Sequence, residues 1–203
     1  MEPDESARAG HHQPVTLTGR FVQLRPLTLD QTESLVAIGL DPDLWLYTVN
    51  QVKHHADMKR YIETALEEQA AGRSQPFVII SRSDGRVVGS TRYGNIDRHH
   101  RRVEIGWTWV AASWQRTPIN TEAKLLLLRH AFESLGCVRV EFKTDRLNEK
   151  SRAALRRIGA VEEGIFRRHM ITDTGRWRDS VYYSIVAEEW PTIRAGLEAK
   201  LAR

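Results

Sequence analysis

The run W-Q-R-T-P-I-N-T-E-A-K, residues 114–124, decides the fold of this chain. Thr117 is a residue type that caps helices, and Pro118 suits the first helical position, where its missing N–H leaves no bond unmade. A leucine-rich run follows, so the sequence predicts a helix from Pro118 to Leu135 that stops at Gly136. The N–H groups and dipole at the start of such a helix form an anion site, and a pyrophosphate is its natural occupant. An ordinary capped helix after a strand would show the same residues.

Regular patterns continue downstream of this turn. C-V-R-V-E-F-K-T, residues 137–144, alternates and predicts a strand. N-E-K-S, residues 148–151, predicts the start of a helix, with Asn148 as its N-cap. Two strands follow, the second within G-R-W-R-D-S-V-Y-Y-S-I-V, residues 175–186, and a last helix is predicted at 187–202.

Upstream of the turn, alternating segments predict strands at 20–26, 77–81, 87–93 and 102–110, and Asp84-Gly85 predicts a hairpin turn. Helices are predicted at 28–37 and 56–71. The order of elements is typical of the α/β class, with a mixed, mostly antiparallel central sheet of about seven strands and flanking helices. Residues 1–13 are polar and predict a disordered lead-in, which leaves 14–203 as a single domain.

Composition narrows the class of protein. The chain has 203 residues, of which 41% are hydrophobic and 28% charged, as in ordinary globular domains. It has no apolar run long enough to cross a membrane, and its polar first residues predict no signal peptide. The single cysteine, Cys137, excludes an intramolecular disulfide, fits a reducing cytoplasm, and is interpreted as an inert core thiol. We therefore expect a cytoplasmic protein that binds no membrane.

Charge and histidine placement argue against two further classes. The net charge of +4 is modest, and no nucleic-acid-binding motif accompanies it, so no nucleic acid is expected as partner. Six of the eight histidines form adjacent pairs, whose side chains diverge on strands and do not share a helical face. No metal site is predicted.

The motifs, taken in order, resemble the core of a GCN5-related N-acetyltransferase, in the branch of the ribosomal-protein N-terminal acetyltransferases (RimJ/RimL-type). The resemblance covers roughly residues 15–190 and is strongest from Glu104 to Trp190. It implies acetyl-CoA as co-substrate and direct transfer of the acetyl group to a primary amine. In the family the phosphate turn follows Gln/Arg-x-x-Gly-x-Gly/Ala; Gln115 matches, whereas Pro118 and Asn120 replace the small residues.

The resemblance also implies a set of coenzyme contacts. Trp109 or Val110 would supply a backbone N–H to the thioester oxygen, and Ser151 would lie close to the sulfur. The residues expected to contact the coenzyme are Trp109, Val110, Gln115, Arg116, Thr117, Pro118, Ile119, Asn120, Thr121, Asn148, Ser151 and Arg152.

Glu104 is the candidate general base, and Ser151 is the second catalytic candidate, as a donor to the departing sulfur. The pattern of residues 102–110 predicts Val103, Ile105, Trp107 and Trp109 on one face of the strand, and Glu104, Gly106 and Thr108 on the other. The alternative is that Glu104 only pairs with Arg101 or Arg92 across the sheet.

The acceptor side is expected at Trp45, Tyr47 and Trp107, although tryptophans also pack in cores. The resemblance favours a protein N-terminal α-amine as acceptor. A small-molecule amine, or a non-catalytic acyl-CoA-binding module, stays open at this point. The protein is expected to be a monomer or homodimer.

Overall fold

The computed structural model describes residues 15–202, so the predicted lead-in lies outside the described residues. Its eight strands form one sheet in the order β1-β2-β3-β4-β5-β6-β8-β7. The strands are β1 (Leu17–Thr18), β2 (Val22–Pro26), β3 (Gln75–Ser81), β4 (Val87–Asp97), β5 (Arg102–Val110), β6 (Arg139–Asp145), β7 (Val161–Ile171) and β8 (Trp177–Val186). The α-helices are α1 (Thr32–Gly39), α2 (His55–Ala70), α3 (Pro118–Arg129), α4 (Glu149–Arg157) and α5 (Trp190–Leu201).

The α/β class and the mostly antiparallel sheet are confirmed. The strand beyond the predicted seven is the two-residue β1, which is too short to leave an alternating pattern. Helix α3 begins at Pro118 as predicted, but ends at Arg129 and continues as a π-helical turn, His130–Ser134. Gly136 then takes a positive φ of 63° and stops the run, as a helix-terminating glycine does.

The sheet opens between β5 and β6. These strands are the one parallel pair among the described strands, and their pairing covers only Arg102–Glu104 against Arg139–Glu141. Both strands continue past this point, β5 to Val110 and β6 to Asp145. Helices α3 and α4 follow these two strands directly in sequence. The C-terminal ends of parallel strands lie at the same edge of a sheet. The N-termini of α3 and α4 therefore both lie beside the opening between β5 and β6.

A β-bulge in β5 changes the predicted sidedness. Ser90 pairs with Trp109 and Arg92 with Gly106, which leaves one extra residue in β5, and Trp107 has a φ of 50°. The prediction that Trp107 and Trp109 share a face with Val103 and Ile105 is therefore wrong, because a bulge shifts the alternation by one residue.

The two core clusters show the result of this shift. Val103 and Ile105 pack in the cluster that includes α3 residues, whereas Trp109 packs with Trp45 in the cluster under α1 and α2. Thr108 contacts Lys124 of α3 instead of sharing the face of Glu104.

The Glu122 side chain anchors helix α3 to the backbone at the start of strand β2. Its buried carboxylate accepts hydrogen bonds from the backbone N–H groups of Arg20, Phe21 and Val22 at 2.7, 2.6 and 2.7 Å. A Cβ on Gly19 would lie 2.4 Å from the Glu122 carboxyl carbon, so this close approach requires glycine. Among residues 15–202, the structure has no helix that is both long and apolar enough to cross a bilayer.

Candidate functional site

The turn before α3 has the cap that the sequence predicts. Thr117 Oγ1 accepts from the Ile119 N–H at 3.4 Å and donates to the Trp114 carbonyl at 2.7 Å, and Pro118 occupies the first helical position. A 3.4 Å bond is long for N–H···O, so the Ile119 amide is only weakly held by the cap. Arg116, two residues before the first helical residue, is exposed and has a φ of 60°.

Contacts between the turn and α4 bring the two predicted coenzyme segments together. Lys150 donates to Gln115 Oε1, and Gln115 Nε2 donates to the Val110 carbonyl at 2.9 Å. Asn148 is the N-cap of α4 and accepts from the Ser151 N–H at 3.0 Å. Ser151 is half-buried beside this cap.

Arg152 is already engaged by intramolecular partners. Its guanidinium donates to Glu149 at 2.7 Å and to the Tyr183 hydroxyl at 3.3 Å, and it lies 3.5 Å from Glu162. These acceptors raise the pKa of Arg152, with the Tyr183 hydrogen bond contributing most. A coenzyme phosphate would have to compete with them.

Glu104 is the last residue of β5 that pairs with β6, at the point where the sheet opens. Only 3% of its surface is exposed. Its Oε2 accepts from Asn95 Nδ2 at 2.7 Å and lies 3.2 Å from Lys143 Nζ. The alternative of a pair with Arg101 or Arg92 is not observed, because Arg101 donates to the Gly136 carbonyl and Arg92 pairs with Glu68 at 3.0 Å.

Two titratable side chains, one on β7 and one on β8, interact electrostatically with Glu104. The pKa of His169 is lowered by burial and by the positive charges of Lys143 and Arg178. The pKa of Tyr182 is raised by burial and by the negative charge of Glu104. The His169 and Tyr182 rings lie 5.8 Å apart. The face of β5 and β6 that carries Glu104 is therefore a polar, partly desolvated site.

Lys124 projects from α3 toward β5 and β6. Only 6% of its surface is exposed, its Nζ donates to Thr108 Oγ1 at 2.8 Å, and it lies 5.7 Å from the centre of the Phe142 ring. Burial lowers its pKa to about 7, while the charge of Glu104 acts in the opposite direction. The sequence patterns do not single out Lys124, Asn95 or Lys143 as site residues. The alternation of E-F-K-T-D in β6 was a usable signal for Lys143, since it puts that residue on the face of Glu141.

The aromatic residues predicted for the acceptor side occupy different environments. Trp45 is 3% exposed and donates from Nε1 to the Gly39 carbonyl at 2.7 Å, and its ring centre lies 5.6 Å from that of Trp109. Tyr47 is half-buried, and Trp107 is 36% exposed with Arg92 over its ring at 4.6 Å. Only Tyr47 and Trp107 of the three offer accessible surface to a ligand.

Within residues 15–202, no group of three or more His, Cys, Asp or Glu side chains is arranged to hold a metal ion. The arrangement does suit a phosphorylated thioester coenzyme. A helix start with weakly held amides and an exposed arginine lies at one end of the sheet opening, and a buried carboxylate lies at the other.

Comparison with known proteins identifies the family. Residues 22–161 match the family model described as an acetyltransferase (GNAT) domain, and the chain belongs to this family of acetyltransferases.

Individual relatives narrow the placement to the RimJ-like branch. Mycobacterium smegmatis RimJ, solved in complex with CoA-disulfide, is 29% identical with a TM-score of 0.80, over 93% of this chain and 96% of that one. A GCN5-related N-acetyltransferase from Brucella melitensis is 27% identical with a TM-score of 0.85, over 93% and 86% of the two chains. The Bacillus subtilis (strain 168) protein "Putative ribosomal N-acetyltransferase YdaF" is 39% identical over 107 residues, which are 53% of this chain and 57% of that protein.

Proposed function

We propose that this protein transfers the acetyl group of acetyl-CoA directly to a primary amine. The observation that carries the proposal is Glu104, a carboxylate 3% exposed at the point where β5 and β6 separate. A desolvated carboxylate in such an opening is suited to accept a proton from an incoming ammonium group.

The coenzyme would bind at the turn before α3 and along the opening. Its thioester supplies an activated acetyl group. The amides of the first turn of α3 and the Arg116 guanidinium would bind the pyrophosphate. Pro118 donates no hydrogen bond, so the neighbouring amides carry this interaction.

A backbone amide of β5 would stabilise the thioester oxygen as negative charge develops on it. The Ala111 N–H donates to the Val88 carbonyl of β4 at 2.9 Å. Because successive N–H groups of a strand point in opposite directions, the Val110 N–H points away from β4, toward the opening. This supports Val110 over Trp109 as the donor.

Acid–base roles complete the transfer. Glu104 takes the proton of the amine, directly or through water, while Asn95 and Lys143 hold the carboxylate in place. The new N–C bond forms as the S–C bond breaks, and the Ser151 hydroxyl donates to the departing sulfur.

As acceptor we propose a protein N-terminal α-amine. This choice is supported by similarity to a protein named RimJ and to one named as a ribosomal N-acetyltransferase. The partly exposed Trp107 and half-buried Tyr47 would form the apolar wall beside the amine.

Calorimetric titration with acetyl-CoA, with desulfo-CoA and ATP as controls, tests coenzyme use. We expect micromolar binding of acetyl-CoA and much weaker binding of ATP. An acceptor screen by free-thiol release, with peptides and small amines side by side, then tests the acceptor. Absence of acetyl-CoA binding would refute the proposal.

Glu104→Gln should lower turnover about 10²- to 10⁴-fold with little change in acetyl-CoA affinity, because the amide keeps the shape but cannot accept the proton. Turnover as a function of pH is the measurement, with Glu141→Gln on the adjacent strand as a control. An unchanged rate and pH profile in Glu104→Gln would remove Glu104 as the base.

Asn120→Glu should weaken acetyl-CoA binding, because a carboxylate in the first turn of α3 would repel the pyrophosphate. Asn120→Gln, of matched size and neutral, should bind within a factor of about three of the wild type. Equal affinities of the two variants in the calorimeter would place the coenzyme away from this turn.

A further inference from the structure

Strand β8 carries a row of polar side chains on one face. Val181, Tyr183 and Ile185 pack in the core cluster that includes α3 residues. By strand alternation, Arg178, Ser180 and Tyr182 point to the opposite face, the one that carries Glu104 and Lys143. The pairing register agrees, since Tyr182 lies opposite Lys143 and Ser180 lies opposite Asp145.

Arg178 and Ser180 are buried, and each has one side-chain polar atom without a hydrogen-bond partner. Arg178 is 7% exposed and Ser180 is 0% exposed. Among residues 15–202, neither Arg178 Nε nor Ser180 Oγ has an acceptor or donor within hydrogen-bonding distance. Burying a guanidinium N–H without a hydrogen-bond acceptor costs free energy.

The two carboxylates whose charges act on Arg178 form ion pairs with other cations. Lys143 lies 3.2 Å from Glu104, and Arg176 forms an ion pair with Asp145. Burial lowers the pKa of Arg178, while the charges of Asp145 and Glu104 partly oppose that shift. Both carboxylates are nevertheless already paired with another cation, which leaves Arg178 available to an external anion.

The separation of Arg178 from Glu104 determines how far apart the amine and the anion of a ligand would lie. Glu104 contacts Lys143, and Lys143 lies opposite Tyr182 of β8. Arg178 precedes Tyr182 by four residues in the same strand. Four residues of strand span about 13 Å, of which the long arginine side chain can cover part. An amine at Glu104 and an anion at Arg178 would accordingly be separated by several bonds.

We propose that Arg178 and Ser180 form an anion subsite for the acceptor, and that the preferred acceptor is an amine carrying a carboxylate several bonds away. The guanidinium fork matches a carboxylate, and the Ser180 hydroxyl supplies a further donor. In a peptide acceptor the carboxylate is an acidic side chain near the N-terminus; in a small acceptor it is the molecule's own carboxyl group. The inference rests on the proposed function, because it takes Glu104 as the end that receives the amine.

Acceptor pairs that differ only in the carboxylate test this subsite. Amidated Ser-Glu-Ala and Ser-Gln-Ala form the peptide arm, and Ser-Ala with a free or amidated C-terminus forms the small-molecule arm. We expect the carboxylate member of at least one pair to show about 10- to 100-fold higher kcat/KM, mostly through KM, as charged hydrogen bonds contribute. Which arm shows the preference identifies the source of the carboxylate.

Variants tie the preference to these residues. Arg178→Met should abolish it and Ser180→Ala should reduce it, whereas Arg167→Met, which removes an exposed arginine of the adjacent strand β7, should retain it. Equal kcat/KM within both pairs, or an unchanged preference in Arg178→Met and Ser180→Ala, would overturn the proposal.

A binding measurement separates this inference from the proposed function. Glutarate, a dicarboxylate without an amine, should raise the melting temperature of the wild type saturably and leave that of Arg178→Met unchanged. That result would uphold the subsite even if no amine were acetylated, in which case only the proposed function would fail. If no amine is acetylated, the subsite is overturned when glutarate changes the melting temperatures of wild type, Arg178→Met and Ser180→Ala by the same amount.

Discussion

Lys124 shows how one buried side chain links stability to pH. With 6% of its surface exposed, its ammonium form is poorly solvated, and its pKa is lowered to about 7. In the unfolded chain a lysine titrates near pH 10.4. Between about pH 7 and 10.4 the unfolded chain therefore holds a proton that the folded protein has lost, so folding stability contributed by this group rises with pH across that window.

Replacing Lys124 with methionine should remove this dependence. Between pH 6 and pH 10, we expect the free energy of unfolding of the wild type to rise, relative to that of Lys124→Met, by on the order of 3 kcal/mol. Urea unfolding at a series of pH values measures the difference. Lys53→Met, at an exposed position, should run parallel to the wild type, and a parallel curve for Lys124→Met would show that Lys124 titrates normally.

At the scale of elements, the position of α3 depends on a contact between segments about a hundred residues apart. Glu122 holds the backbone N–H groups of Arg20, Phe21 and Val22, and so fixes the start of β2 against the helix that carries the phosphate turn. Gly19 provides the space for this carboxylate. The sequence predicts both elements, but a contact of this separation leaves no local pattern.

Glu122→Ala should destabilise the protein by about 2–4 kcal/mol, because it leaves buried amides without an acceptor. Gly19→Ala should also destabilise it by displacing the same carboxylate. The two changes should be strongly non-additive in a double-mutant cycle followed by urea denaturation, since each disrupts one shared contact. Additive effects would mean that the two residues act independently; Glu188→Ala, at an exposed position, serves as control.

Across the whole molecule, local signals predicted the order of elements well. Thr117-Pro118, Asp84-Gly85 and Asn148 specify their turns and caps by chemistry that acts within a few residues. The constellation around Glu104 was only partly predicted, because Asn95 and Lys143 reach it through strand pairing and not through sequence proximity. The face of Trp109 was mispredicted because a bulge is one residue of irregularity that an alternating pattern conceals.

Deletion of the extra residue at Trp107 would affect the two hydrophobic cores and the bend of β5 differently. Val103, Ile105 and Val110 pack in the core cluster that includes α3 residues, and Trp109 packs in the cluster under α1 and α2. Regular alternation of side chains without the extra residue would assign these four residues to the same two cores. A chain lacking Trp107 would keep every one of these assignments and pair regularly with β4 between Ser90 and Arg92. It would lose the local bend in β5 where the sheet parts. We therefore expect a single-codon deletion at this position to impair activity more than it impairs folding.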